Sequence, residues 1–440
     1  MRAKNLAVGI DIGTTSVKAV AADEDGNVVA RTRVPHKLLT PQPDQLEHDA
    51  GQAWRRGPRR ALAAVGTESV VAVSVTGMVP SLCAVDAKGV PRTPGLIYGD
   101  ARGRTGSSAD PSQSGETKAF LRWTAAQRPD AFGFWPAQAV ANFALSGEVS
   151  VDSATAFSAY PLFDGAKWDE GVVAECGARP EQFPPAFNNG EPVGRVGDAV
   201  LGASSIDAMG EQLVAGAENE GDVLVILGTT LLTWALIPEW REVPGLWTIP
   251  HLGGTGKVFI GGASNAGGLF VSWATSWLGR ARAGTKADPR RVPVWEPYVR
   301  GERTPFHDPD RRAVLRDLDL THDATALRRS VFEASGFVCR HHIDLAGVEA
   351  RRIVATGGGV RLPEWVQALA DCTGLPVDVV AVPEGGALGA AFMARVAAGL
   401  EPGMAEGARW ARRSHTVDPD PTWVEPVAAR YQRFRELAGR

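Results

Sequence analysis

One short phrase occurs twice in this 440-residue chain. Near the start it reads Gly9-Ile10-Asp11-Ile12-Gly13-Thr14-Thr15-Ser16-Val17-Lys18, and in the second half Val225-Ile226-Leu227-Gly228-Thr229-Thr230-Leu231-Leu232-Thr233. Each copy predicts an apolar strand, a tight turn and a second strand. A Gly-Thr-Thr turn gathers backbone N–H groups and two hydroxyls at one point, which suits a phosphate. A phrase of this kind in each half predicts two related half-domains acting on one nucleotide.

The length fits two domains better than one core. The chain is 44% hydrophobic and 22% charged, an ordinary globular composition. Its net charge of −4 leaves no basic surplus to draw nucleic acid or an anionic membrane. No apolar run reaches membrane-spanning length, and the first residues show no leader-like apolar segment, so a cytoplasmic enzyme is expected. Cys83, Cys176, Cys339 and Cys372 form no CxxC pair and are expected as buried thiols. His341 and His342 are neighbours on an expected helix, point to different sides and cannot chelate one ion. The thirteen tryptophans are scattered as core residues are, not as a platform for stacked bases.

Strands are expected over 5–11, 16–22, 27–34 and 69–75, with helices over 50–65, 117–127 and 136–145. The Gly/Ser-rich stretch 103–116 reads as a mobile loop. The strand pattern restarts over 222–228, 230–237 and 256–262. A long amphipathic helix follows over 323–346, with Asp323 as its cap. After a strand over 351–356, Pro363 opens a helix and Gly374 closes it. A strand over 377–382, a helix over 387–398 and a helical tail over 422–440 complete the chain. The run 216–221 looks like a linker, which divides the chain into domains 1–217 and 218–440.

Asp11 stands just before the first turn, and Ile226 takes the matching place in the second. One carboxylate near a polyphosphate can hold Mg²⁺ or its waters, whereas a second would add repulsion. Lys18, on the following strand, can reach a phosphate. Gly357, Gly358 and Gly359 sit at a strand-to-helix junction, where bare backbone can approach a ribose or phosphate. Their spacing is not the G-x-G-x-x-G of dinucleotide sites.

These turns, the segment Gly357–Asp371, the run Ala387-Leu388-Gly389, the stretch Pro297–Pro305 with Gly301-Glu302-Arg303, and the segment Gly262–Gly268 stand in one order. In that order they resemble the FGGY family of carbohydrate kinases, within the actin, heat-shock chaperone and hexokinase superfamily. The resemblance implies an α/β chain of two ribonuclease-H-like, actin-like ATPase domains with a cleft between them. It implies transfer of the ATP γ-phosphate, with Mg²⁺, to a hydroxyl of a small-molecule sugar, a pentulose such as xylulose or ribulose. Asp207 is then the catalytic base, and Asp11 the metal ligand. Nucleotide contacts fall on Gly13, Thr14, Thr15, Lys18, Gly228, Thr229, Thr230, Gly267, Gly268, Gly357, Gly358 and Gly359. Sugar contacts fall on Thr76, Gly77, Met78, Tyr98, Asp100 and Arg102. A purely structural Asp100–Arg102 contact is an alternative, and the role of Glu47-His48-Asp49 is open.

Some positions depart from the family pattern. Val79 stands where xylulokinases usually carry a histidine, and the Arg-Glu pair of glycerol kinases is absent, which argues against glycerol. Ile206 and Ala208 flank Asp207 in place of the usual glycine and side-chain amide. No nucleic-acid or membrane partner is expected, and a homodimer is compatible with the sequence. Two other readings fit parts of the sequence: a serine hydrolase with Ser264 at a nucleophile elbow, and a non-catalytic or degenerate actin-like ATPase switch.

Overall fold

The computed structural model describes residues 5–66, 68–104, 116–254, 256–278 and 286–439. The stretch 103–116, expected as a mobile loop, lies mostly outside the described residues. The chain forms two units: Met1–Val214 with Glu384–Trp410, and Ala215–Pro383 with Ala411–Arg440. The sequence division at 217/218 assigns the helix Gly385–Ala397 to the second half, but it packs in unit 1.

In unit 1, β1 (Leu6–Ile12), β2 (Ser16–Ala22) and β3 (Val28–Pro35) run antiparallel in turn. β4 (Val70–Gly77) lies parallel to β1 on its other side. β5 (Pro192–Val196) and β6 (Ala199–Gly202) extend the sheet to the order β5-β6-β4-β1-β2-β3. β1 and β2 read as near-continuous apolar runs because both faces of the sheet are covered. The helix Gly57–Val65 packs on β2 and β3, and the helix Gly385–Ala397 on β1 and β4.

The reason this helix joins unit 1 is steric. Its buried residues include Gly385, Gly386, Ala387, Gly389, Ala390 and Ala391, a surface with almost no side chain. It meets β1 at Gly9, where an added methyl would fall 1.8 Å from the Ala387 carbonyl oxygen. Only glycine at that strand position permits so close an approach.

Unit 2 repeats the plan. β7 (Asp222–Leu227) and β8 (Leu231–Ile237) form the second hairpin, and β9 (Trp247–Pro250) and β10 (Val258–Ser264) continue it antiparallel. β11 (Arg352–Thr356) and β12 (Val377–Val380) lie parallel beyond β7. The inner order β10-β8-β7-β11-β12 reproduces β3-β2-β1-β4-β6 with the same strand directions. β13 (Arg413–Val417), absent from the sequence expectations, adds an antiparallel edge.

The helices Ala324–Ala346 and Pro363–Thr373 pack together, with Phe337, Val338 and Trp365 in the core. Asp323 caps the first, its Oδ1 accepting from the Thr325 and Ala326 amides at 2.9 Å each. The C-terminal helix Val424–Ala438 is tied to this core by Arg430, whose guanidinium donates twice to the buried Glu333 carboxylate at 2.7 Å.

Candidate active site

The strand register in unit 1 gathers the first set of residues. Asp11 on β1 stands opposite Thr76 on β4 and opposite Lys18 on β2. The Lys18 ammonium donates to Asp11 Oδ2 at 3.3 Å, while Asp11 Oδ1 is buried with no hydrogen-bond partner. The negative charge of Asp11 holds the Lys18 pKa above its ordinary value against the opposing cost of burial, and Glu211 and Asp207 add to the effect. Glu211 lies one helical turn beyond Asp207, a spacing visible in the sequence but not read there as part of the site.

Asp207 reaches the same strand ends by two links. The Thr76 hydroxyl donates to the Ser205 carbonyl, and Gly77 pairs in parallel with Ile206. Asp207 then opens the helix Asp207–Ala215, with Oδ1 accepting from the Ala208 amide at 2.8 Å. Gly386 lies against both acids: a methyl there would be 3.4 Å from Asp11 Cγ and 3.5 Å from the Asp207 carbonyl oxygen. Asp11, Lys18, Thr76, Gly77 and Asp207 thus converge at the carboxyl ends of β1 and β4, where open α/β sheets hold their ligands.

Beside them lies the turn Gly13–Thr15. Its Gly13 amide donates to the Ser16 carbonyl at 3.1 Å, and the Thr14 hydroxyl meets the Tyr98 hydroxyl at 2.5 Å. Met78 is buried, its amide donating to the Ile12 carbonyl at 3.2 Å. Asp100 is wholly buried and accepts from the Leu46 amide at 2.6 Å and from Arg102 at 2.7 Å. Arg102 also donates to Glu47 at 2.7 Å. The structural Asp100–Arg102 contact raised as an alternative from the sequence is therefore present, and it secures the segment 46–48.

Unit 2 gathers the second set. The helix Gly268–Trp277 sets its first amides on the second turn, Gly268 donating to the Gly228 carbonyl at 2.8 Å and Leu269 to the Thr229 carbonyl at 3.1 Å. Gly267 fits only without a side chain, since a methyl would fall 2.3 Å from the Thr230 carbonyl carbon. Gly357, at φ +86°, lies against Leu227, and Gly358 and Gly359 open a short 3₁₀ turn. The glycine segments noted in the sequence thus meet the second hairpin, Gly267 and Gly268 at Gly228–Thr230 and Gly357 and Gly359 at Leu227.

Glu302 of the Gly301-Glu302-Arg303 stretch organises this region, a part that sequence reasoning missed. It is buried and accepts from the Ser264 hydroxyl at 2.5 Å, the Asn265 amide at 3.0 Å and the Arg303 amide at 2.7 Å. Burial pushes its pKa up to about 7. Ser264 is wholly buried and its hydroxyl is engaged, so no ester can reach it and the hydrolase reading falls.

Comparison with known proteins agrees with this arrangement. The N-terminal domain of the FGGY family of carbohydrate kinases matches residues 6–109, and the C-terminal domain of that family matches residues 223–398. The xylulose kinase of Escherichia coli (strain K12) is 26% identical over 98% of both chains. A glycerol kinase of Allorhizobium ampelinum is 27% identical over 94% of both. The crystal structure of xylulose kinase from Rhodospirillum rubrum matches with a TM-score of 0.77 at 25% identity, over 99% of this chain and 98% of that one. Among the described residues no helix is long and apolar enough to cross a membrane. With both domain models in register and the duplicated actin-like ATPase sheets in place, the chain belongs to the FGGY family of carbohydrate kinases and is an ATP-dependent sugar kinase.

Proposed function

We propose that this kinase phosphorylates a pentulose, xylulose or ribulose, with Asp207 orienting the attacking hydroxyl. The observation that carries the reading is the gathering of Asp11, Lys18 and Asp207 at the ends of β1 and β4. The xylulose kinases among the similar proteins support the choice of acceptor class.

The sugar oxygen forms a bond to the γ-phosphorus as the bond from that phosphorus to the bridging oxygen breaks, and ADP departs. Because phosphoryl transfer is loose, positioning matters more than base strength. The carboxylate of Asp207 accepts the hydroxyl proton late in the transfer. The Lys18 ammonium balances charge on the phosphate oxygens. Thr14 and Thr15 offer N–H groups to the same phosphates, and Gly13, whose own amide closes the turn on Ser16, lets the backbone come close. In unit 2 the proposed nucleotide contacts are Gly228, Thr229, Thr230, Gly267, Gly268 and Gly357–Gly359.

The Tyr98 ring covers the apolar face of the acceptor, and Thr76, Gly77 and Met78 frame it. Asp100 and Arg102 act indirectly, by fixing the segment 46–48. The unpartnered Asp11 Oδ1 fits a cation or a cation-bound water. Among the described residues no three acidic, His or Cys side chains form an ion site by themselves, so Mg²⁺ held by Asp11 would draw its remaining ligands from phosphate oxygens and water and would offset their charge.

The test is a coupled ADP-release assay with pentuloses, hexuloses, aldonates and polyols. A pentulose should exceed every other class by about tenfold or more in kcat/KM. Best turnover with glycerol or an aldonate rejects the pentulose, and ADP release indifferent to any added sugar rejects the acceptor site.

A further inference from the structure

We infer that His48 is a positioning residue for the first phosphate turn, its imidazole standing where unit 2 uses the amino end of a helix. The inference rests on the reading of Gly13–Thr15 as a phosphate site and assigns the Glu47-His48-Asp49 segment a role that the sequence leaves open.

His48 is completely buried. Its Nε2 lies 2.8 Å from the Thr14 carbonyl oxygen, and the Trp54 indole donates to its Nδ1 at 3.0 Å. An indole nitrogen can only donate, so Nδ1 must carry a lone pair and Nε2 must carry the proton. The tautomer is thereby set by Trp54, and the proton on Nε2 points at Thr14. Two further groups act on neighbouring parts of the turn. The His36 amide donates to the Thr15 carbonyl at 3.0 Å, and the Tyr98 hydroxyl engages the Thr14 side chain at 2.5 Å.

An anion-binding turn must direct its N–H groups outward, so its carbonyls need donors within the protein. Unit 2 meets this need with a helix, whose Leu269 amide takes the Thr229 carbonyl. Thr14 is the counterpart of Thr229 in the repeated phrase. No helix begins at the first turn among the described residues, and the His48 side chain supplies the missing donor. Trp54 keeps that donor in its working form. The same chemistry on two scaffolds, one backbone and one side chain, argues that the donor serves the turn and not merely the core.

The test uses the full chain with three substitutions at the brace and one at the phosphate contact. His48→Leu removes the donor, His48→Gln keeps an N–H within reach of Thr14, Trp54→Phe releases the tautomer, and Lys18→Ala serves as the reference. His48→Leu should raise the ATP KM and the ADP Kd about tenfold, the effect of one buried carbonyl left without its donor. The sugar KM should hold, and His48→Gln should recover most of the loss. In a ¹⁵N-histidine spectrum His48 should show a bare Nδ1 and a protonated Nε2, and Trp54→Phe should bring in the second tautomer. Unchanged ATP KM in folded His48→Leu, with a raised value in Lys18→Ala, overturns the role of His48. Unchanged values in both overturn the phosphate reading beneath it. A protonated Nδ1 in the wild type also overturns the proposal.

Discussion

The two Gly-Thr-Thr hairpins are nearly the same words and not the same structure. In the first, Ile12 pairs with Val17 across the turn; in the second, Leu227 pairs with Leu231. The first loop is therefore one residue longer. The slip shifts every cross-strand partner that follows. Asp11 faces Lys18, whereas Ile226 faces Leu232 and Thr233 faces Val225. Unit 1 thus carries an ion pair beside its turn, and unit 2 carries an apolar pair there, Ile226 buried and Leu232 half-buried, with a helix end in support. The asymmetry of charge is built into the register as well as the side chains, so exchanging one residue cannot convert either turn into the other.

The largest expected effect follows from the proposal that the carboxylate orienting the acceptor belongs to unit 1. Asp207→Asn should lower kcat by about 10³-fold or more while the ADP Kd stays close to wild type, measured by single-turnover kinetics and calorimetry. Comparable turnover in the variant would falsify the assignment of Asp207.

Next is an attempt to make the turns alike. Ile226→Asp places a carboxylate at a site only 4% exposed, opposite a leucine, with no cross-strand ammonium. It should cost about 3 kcal/mol of stability in unit 2 without adding ATP affinity, read from denaturant unfolding. A stable variant that binds ATP more tightly would show that the register does not matter.

A smaller effect separates the positions that follow the turns. Lys18→Ala should raise the ATP KM about tenfold, and Thr233→Val should leave it unchanged, because only the first is charged toward the phosphates. Equal effects at both sites would remove the distinction drawn between the units.

The smallest concerns Glu302, which braces the second turn region as Asp11 and Lys18 do not. Its folded pKa is raised to about 7 from an ordinary 4.5, so between those values the folded chain binds more protons than the unfolded one. Its contribution to stability is then fully present below the ordinary value and is lost as pH rises toward 7. Glu302→Gln cannot ionise, so relative to wild type its melting temperature should improve between pH 6 and pH 7, by an amount equivalent to about 1 kcal/mol. A constant difference across that range would show that Glu302 is ionised throughout.

Features determined by neighbours in sequence were legible without coordinates. Both hairpins, the Asp323 cap and the helix from Pro363 to Gly374 depend on contacts a few residues apart. The convergence of Asp11 and Lys18 was legible for the same reason, since one turn joins them. The placement of the helix Gly385–Ala397 was not, because it depends on the missing side chain of Gly9, far away in sequence. β13 escaped because Arg413–Val417 is a largely exposed edge without an apolar alternation. The engagement of Asp100 was not legible, because its motif does not show the distant Leu46 amide from which it accepts. Glu302 looked like part of a signature, and only the fold reveals the three donors that converge on it.

The return of the chain to unit 1 at Glu384 has a consequence for how the molecule is made. During synthesis on the ribosome, every strand of the first sheet emerges long before the helix that shields its Gly9 face. The second sheet likewise waits for its edge strand and its C-terminal helix. The first half therefore cannot mature as a finished package until most of the second has been translated, although N-terminal domains commonly mature first. A ribosome stalled short of Glu384 would hold two open sheets, and clients of that kind are what nascent-chain chaperones engage.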